Sequence, residues 1–381
     1  MSEMVRLEDV GMIITGNTPK TSDKENYSSK DIPFIKPSDI SETEITPIKF
    51  SEYFISEQAR NKARILPTNS ILVTCIGIIG KIGISKTECA FNQQINAIIP
   101  DLSKCIPEYL AYAIYSRKEI LQNMANAPVV PILNKSQFSN IEIPLPPLPE
   151  QRRIAAVLDK VSELIALRKR QLDLLDEMVK ARFVEMFGDI SESEFCSIYD
   201  VCNLITDGTH NPPRFVENGI PFLLVSNIRE NRITYDTQKF ITPETYDQLM
   251  KRTPIEKGDI LLSTVGSYGH PAIVISDKKF SFQRHIALLK PNQDKINSVF
   301  FHSAILSNEV QRQIGSLVLG VAQKTLNLSA IKTLRIPLPH ISDQSQFADF
   351  VQQVDKSKAT VQQGLDRLNL LKSALMQEYF G

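Results

Sequence analysis

The chain has 381 residues, 43 Lys plus Arg against 43 Asp plus Glu, five Cys and no Trp. That length suits two to three domains, and 42% apolar with 23% charged residues supports packed cores rather than disorder. Scattered Cys without any CxxC exclude a disulfide framework and argue against structural zinc, the first residues form no leader, and the greasiest run (Ile71 to Gly80) falls far short of the ~20 residues of a membrane span, so a reduced, soluble, cytoplasmic protein is expected.

In chain order, Thr15-Gly16-Asn17-Thr18-Pro19-Lys20 is a polar turn, and Ile32-Pro33-Phe34-Ile35 leads into Lys36-Pro37-Ser38. Ile71-Leu72-Val73 is a short apolar run after a polar turn, hence a buried strand. Gly77-Ile78-Ile79-Gly80-Lys81 is not a phosphate-binding loop, which needs GxxxxGK[ST]; it reads as a strand-ending turn. Pro107 to Gln122 has helical apolar spacing. Pro144-Leu145-Pro146-Pro147-Leu148-Pro149 favours extended polyproline geometry and sets where the next element leaves. From Glu150 to Phe187 there is no Gly or Pro, which predicts a helix of ~38 residues and ~55 Å, with Gly188 at the expected stop.

The chain then repeats itself. Ile220-Pro221-Phe222 answers Ile32-Pro33-Phe34, and Ile260-Leu261-Leu262 with Gly266 and Gly269 answers Ile71-Leu72-Val73 with Gly77 and Gly80. Phe282 to Pro291 answers Phe91 to Pro100, Ser298 to Gln313 answers the first short helical stretch, and Tyr379-Phe380-Gly381 answers Met186-Phe187-Gly188. The copies stay roughly 190 residues apart, too long a period for a solenoid, so the chain is a tandem duplication of a mixed α and β segment with a long helical tail.

Both tails carry one apolar stripe in alternating steps of three and four. The first is Leu158, Val161, Ile165, Leu172, Leu175, Val179 and Met186, interrupted by Arg168 and Arg182. The second is Val351, Val354, Val361, Leu365, Leu368, Leu375 and Tyr379, interrupted by Lys358 and Lys372. A long helix cannot hide such a stripe alone, so the two are expected to pair as an antiparallel coiled coil with pseudo-two-fold symmetry. The remaining faces are densely charged and suit solvent or a docked partner.

Catalytic signatures are missing. All five His lie in the second half, so both copies cannot share a His-dependent reaction. Asn211-Pro212-Pro213-Arg214 lacks the aromatic that an adenine-gripping motif needs, and no HExxH or GxSxG occurs. What differs between the copies is polar content in the loops. Candidate readers of base edges and phosphates are Thr15, Asn17, Thr18, Lys20, Lys36, Ser38, Lys81, Asn92, Gln93 and Gln94 in the first half. In the second they are Thr209, His210, Arg214, Ser226, Asn227, Tyr268, His270, Gln283, Arg284 and His285. The same residue types also cap helices and shape turns.

Together these features resemble the DNA-specificity subunit of type I restriction-modification systems over essentially the whole chain. The resemblance rests on Ile143-Pro144-Leu145-Pro146-Pro147-Leu148-Pro149-Glu150-Gln151-Arg152-Arg153-Ile154-Ala155, on Phe183-Val184-Glu185-Met186-Phe187-Gly188, and on the openings Gly16-Asn17-Thr18-Pro19 and Asp207-Gly208-Thr209-His210. It implies an α+β fold: target-recognition domains at 1–149 and 189–342, each followed by a spacer helix, at 150–188 and 343–381. Each domain would read one half of a bipartite asymmetric site in double-stranded DNA. The helices would set the spacer and dock two methyltransferase subunits, and motor and nuclease subunits would join them. S-adenosylmethionine, ATP and Mg would belong to those partners; this chain would bind no metal or cofactor and catalyse nothing. His340-Ile341-Ser342-Asp343-Gln344 departs from the first exit motif, so a softer hinge is expected there. A chain of zero net charge is unusual for a phosphate binder, and partner subunits that clamp the duplex would account for it. A DNA-independent coiled-coil scaffold, a degenerate specificity subunit and a hidden hydrolase are the rival readings.

Overall fold

The computed structural model describes residues 3–125, 130–191, 194–318 and 324–381. The chain divides into two compact units, one of Met1–Arg168 with Gly364–Gly381 and one of Lys169–Gln363.

In the first unit, β-branched runs build a five-stranded sheet in the order Gly11–Thr15, Ile95–Pro100, Ile71–Thr74, Ile82–Ser85, Thr46–Ile48. Ile71–Thr74 is buried throughout. Its period-two alternation sends Ile71 and Val73 into a core with Tyr109 and Leu110 of the helix Pro107–Ser116, and Leu72 into another with Ile35 and Phe91. The latter two residues belong to a four-stranded sheet ordered Phe54–Ile55, Ile32–Ile35, Cys89–Phe91, Ile65–Leu66. The layers are therefore helices, large sheet, small sheet.

The second unit uses the same plan. Its sheets are ordered Cys202–Asp207, Ile286–Pro291, Ile260–Ser263, Pro271–Ile273 and Phe240–Ile241, Ile220–Leu223, Ser281–Phe282. Ile260 and Leu262 face Phe300 and Phe301, while Leu261 faces Leu223 and Phe282.

Two helices expected to be continuous are broken. Pro107–Ser116 gives way to Lys118–Met124 at Arg117 (φ −94°, ψ 9°). Ser298–Leu306 gives way to Asn308–Leu317, where the Ser307 hydroxyl accepts the Val310 N–H at 3.4 Å. Each break lets the second piece turn its own apolar residues, Leu121 or Val310 with Ile314, into the core.

The proline-rich exit is not one polyproline segment either. Glu142–Leu145 is a strand paired antiparallel with Glu3–Arg6, and Leu148 already opens the helix Leu148–Phe187. Proline is tolerated in that first turn because its missing N–H would have no helical partner. One turn in, the fully buried Gln151 locks the exit. Its Oε1 accepts the Ile106 N–H at 3.0 Å, and its Nε2 donates to the carbonyls of Lys104 at 2.9 Å and Pro146 at 2.8 Å. In the second unit the buried Gln344 accepts the Asn297 N–H at 2.9 Å and donates to Lys295 and Pro339 at 3.3 and 2.8 Å. The second exit is therefore held by the same three-bond lock despite its divergent sequence, with one bond longer, 3.3 Å against 2.9 Å.

The second long helix is Ile341–Phe380. Within the first unit Arg153 lies over the Tyr379 ring and Arg168 approaches Gly364. Within the second, Asp176 pairs with Lys358, and Arg182 lies over Phe350. In each unit residue numbers rise on one helix as they fall on the other, so the pairing is antiparallel. Leu158, Val161, Ile165, Val351, Val354, Val361 and Leu365 are buried; Leu172, Leu175, Val179, Met186, Leu368, Leu375 and Tyr379 are half-buried.

The closing aromatics extend this seam into the globular cores. Phe183 and Phe187 cluster with Phe300 and Phe347 at centroid distances of 5.0 to 5.7 Å. In the first unit Phe380 packs on Tyr109 at 5.5 Å. Gly188 follows its helix without the left-handed φ of the common glycine stop. Its need is steric: a Cβ would lie 2.5 Å from the Val184 carbonyl oxygen. No described helix is long and apolar enough to cross a membrane.

Candidate nucleic-acid interface

Strand direction gathers the loops in each unit. In the first, Ile32–Ile35 and Cys89–Phe91 run parallel, so their C-terminal ends deliver Lys36–Ser38 and Asn92–Gln94 to one edge. Phe54–Ile55 and Ile65–Leu66 run the other way and bring Tyr53 and Arg64 there from their N-terminal ends. Gly16 and Asn17 donate backbone N–H bonds to Ile95 and Phe91 at 3.0 and 3.1 Å, which adds Thr15 to Thr18. A Cβ at Gly16 would collide with the Asn92 carbonyl, so only glycine allows this approach.

The second unit repeats the device. Ile220–Leu223 and Ser281–Phe282 are parallel and deliver Ser226 and Gln283–His285. Gly208 lies against the Phe282 carbonyl with no room for a Cβ. Thr209 donates its N–H to Phe282 at 3.2 Å and accepts the Arg284 N–H at 3.0 Å.

Several candidate readers are committed to their own unit. Asn17 donates to the Lys62 carbonyl and accepts the Arg64 N–H, both at 2.8 Å. Asn92 is buried, donating to Gln94 Oε1 at 2.9 Å and accepting its N–H at 3.1 Å. Thr15 donates to Asn96 Oδ1 at 2.6 Å. The Lys81 side chain is only 11% exposed, its Nζ 3.3 Å from the Pro37 carbonyl and 3.4 Å from Glu42. Asn227 is buried, accepting the Leu224 N–H at 2.9 Å and donating to the Asp236 carbonyl at 2.8 Å. Tyr268 packs against the helix-side core. His270 Nδ1 sits 3.3 Å from Asn231 Oδ1, at the tip of a two-residue turn in which Glu230 and Asn231 have positive φ.

The rest face outward. In the first unit Thr18 donates to Gln93 Oε1 at 2.6 Å, Lys20 and Ser38 are exposed, and the Lys36 ammonium lies 3.1 Å over the centre of the Tyr53 ring. In the second, Arg214, Ser226 and Arg284 are exposed. His210 Nε2 sits 2.8 Å from Asp207, whose other oxygen takes the Arg252 guanidinium. Gln283 and His285 are half-buried. Burial first, and then the neighbouring Arg284 charge, holds His285 below the ordinary imidazole range, and its Nε2 accepts the Arg284 Nε–H at 3.4 Å.

Sequence reasoning missed Tyr53, Arg64 and Arg252, and took Asp207 only as part of the opening Asp207-Gly208-Thr209-His210. Arg64 donates to the Thr15 carbonyl and Arg252 to the Asp207 carboxylate, so an arginine clamps the residue before the tight glycine in each unit. The signal of the two arginines was their shared place in the two copies, seven residues before Ile71 and eight before Ile260.

Comparison with known proteins agrees with this duplicated plan. The family described as Type I restriction modification DNA specificity domain matches residues 1–177 and again 190–370. The type I restriction enzyme MjaIX specificity subunit of Methanocaldococcus jannaschii is 26% identical over 98% of this chain and 91% of its own. The MjaVIII specificity subunit of the same organism is also 26% identical, over 77% and 74%. The crystal structure of a type I restriction-modification S subunit from M. genitalium superposes with a TM-score of 0.55 at 15% identity, covering 100% of this chain and 96% of that one, and so shares the fold.

Proposed function

The chain belongs to the family of type I restriction-modification DNA specificity domains, and from that premise we propose that its two units read the two unlike halves of one bipartite DNA site. The observation that carries this is the shared frame with divergent tips. Parallel strands and a tight glycine present Thr18, Gln93 and Lys36 in one unit, and Ser226, Gln283 and Arg284 in the other. A Gln amide suits adenine N6 and N7, and an Arg guanidinium suits guanine O6 and N7. Lys20 and Lys36 suit phosphates. The two edges therefore offer different donor sets to different bases.

The chain is a recognition subunit. Adenine methylation from S-adenosylmethionine and ATP-driven cleavage belong to methyltransferase and motor–nuclease subunits that assemble with it. The charged outer faces of the long helices are where the methyltransferase subunits dock.

The test is a methylome. The chain is expressed with its methyltransferase subunit in a methylation-free host, and N6-methyladenine is mapped by single-molecule sequencing. A motif of two unlike halves is expected, and exchanging residues 1–149 for those of a relative should change only one half. No motif, with the subunits still co-purifying, would favour a scaffold or a degenerate specificity subunit.

The same assay measures the ruler. One helical turn adds ~5.4 Å, about one and a half base-pair steps. Inserting a turn after Lys169, with a matching one in the second helix, should lengthen the unspecified spacer by one or two base pairs, to judge by that ~5.4 Å. A spacer that stays the same length would refute the helices as its determinant.

A further inference from the structure

Phe50 is the most exposed large apolar side chain among the described residues, at 78% of full exposure. Its flanks are fixed. Ile48 is buried in the strand Thr46–Ile48, and its carbonyl accepts the Lys86 N–H at 2.8 Å. Ser51 is buried, with Oγ 3.0 Å from the Phe34 carbonyl and 2.9 Å from Asp39 Oδ2, and it accepts the Tyr53 N–H at 3.1 Å. A ring held outward on anchored backbone has no core to fill and loses little freedom when something stacks on it.

The loop also lies at the candidate interface. The Tyr53 carbonyl accepts the Phe34 N–H at 2.8 Å, so the residues before it run beside Ile35 and Lys36. Asp39 Oδ2, which holds Ser51, also accepts the Lys36 N–H at 2.8 Å, and so ties the residue next to Phe50 to Lys36; Lys49 precedes Phe50 in sequence.

The second unit has the frame without the ring. Thr237 donates to the Phe222 carbonyl at 3.2 Å and accepts the Lys239 N–H at 3.1 Å, as Ser51 does with Phe34 and Tyr53. In that loop Asp236 takes the place of Phe50, with its carbonyl bound to Asn227. A carboxylate is a poor stacking surface and is repelled by phosphate.

We propose that Phe50 is a stacking wedge, by which the first unit engages and partly unstacks the bases of its half-site, while the second unit uses none. Apolar wedges and aromatic platforms act on bases in this way without reading their edges. The inference rests on the reading of both units as DNA readers.

The test uses the full complex of this chain with its methyltransferase subunits. The mapped site carries 2-aminopurine at one position at a time in each half. Apart from the target adenines, which the methyltransferase subunits themselves take out of the stack, the wild-type complex should raise the fluorescence at one step of the first unit's half only. Phe50→Ala should abolish that rise and weaken binding about 10- to 100-fold, the scale of one base–aromatic stack. Phe50→Trp should keep both, and neither change should lower the melting temperature of the chain. Wild-type binding, methylation and fluorescence by Phe50→Ala would overturn the wedge and leave the DNA-reader assignment standing. Loss of the methyltransferase subunits instead of DNA would make Phe50 a protein contact and overturn it too. A wild-type complex without any site preference would defeat the DNA-reader assignment, and the wedge with it.

Discussion

Gln151→Ala should destabilise the first unit by about 2–4 kcal/mol, because the change strands one N–H and two carbonyls around this buried side chain, each worth roughly 1–3 kcal/mol where it is shut off from water. The three groups belong to Ile106, Lys104 and Pro146. Gln344→Ala should do the same to the second unit through Asn297, Lys295 and Pro339. Urea unfolding with amide exchange at Ile106 and Asn297 reads both effects; a loss below about 1 kcal/mol would show that the lock is replaceable by water. Gln151→Glu adds a pH signature. A buried carboxylate beside two carbonyl oxygens is disfavoured, and the neutral acid can donate to one of them, so its folded pKa lies above the unfolded value of about 4.3. Its stabilising bonds are present below that unfolded pKa and are lost as pH rises through the folded one. The variant should therefore regain stability toward acid, relative to wild type.

Phe183→Ala should cost about 3–5 kcal/mol, the usual loss for deleting a buried phenyl ring. The ring touches three others, at 5.2 Å from Phe187, 5.7 Å from Phe300 and 5.5 Å from Phe347. These come from both long helices and the globular core of the second unit, so the cavity cannot close by moving one element. Edge-to-face contacts with Phe187 and Phe347 add to the loss. Leu167→Ala, at a site 56% exposed on the same helix, should stay within about 0.5 kcal/mol. A thermal melt in which the two variants fall together would contradict the cluster as the joint between helix and domain.

The long helices were legible because their information is local. A 38-residue stretch without Gly or Pro and a stripe in steps of three and four leave one conformation and one buried face. Even there the reach of the seam was understated. Phe183 lies off the stripe, and Phe183, Phe187 and Phe380 are buried because a globular core meets the helix at that point. The strands Ile71–Thr74 and Ile260–Ser263 were legible for the same local reason. The short helices were not. Nothing in the spacing around Arg117 or Ser307 announces a break; the core decides which face each piece must turn inward.

The interface divides along the same line. That Thr15 to Lys20, Asn92 to Gln94, Thr209 to Arg214 and Gln283 to His285 are the polar, divergent loops follows from comparing the two copies. Which of their side chains remain available does not. Asn17 is taken by Lys62 and Arg64, Lys81 by Pro37 and Glu42, and Asn227 by Leu224 and Asp236. Most of those partners stand tens of residues away and are brought close only by strand pairing.

By itself, then, the sequence determined the duplication, the two long helices, their pairing face and the absence of catalytic motifs, since each is written in periodicity or in residues a few positions apart. Only the tertiary structure decided which polar groups hold the fold and which face outward. A buried donor or acceptor must find a partner wherever the fold puts one, and parallel strands with a glycine too tight for any Cβ are what set those places.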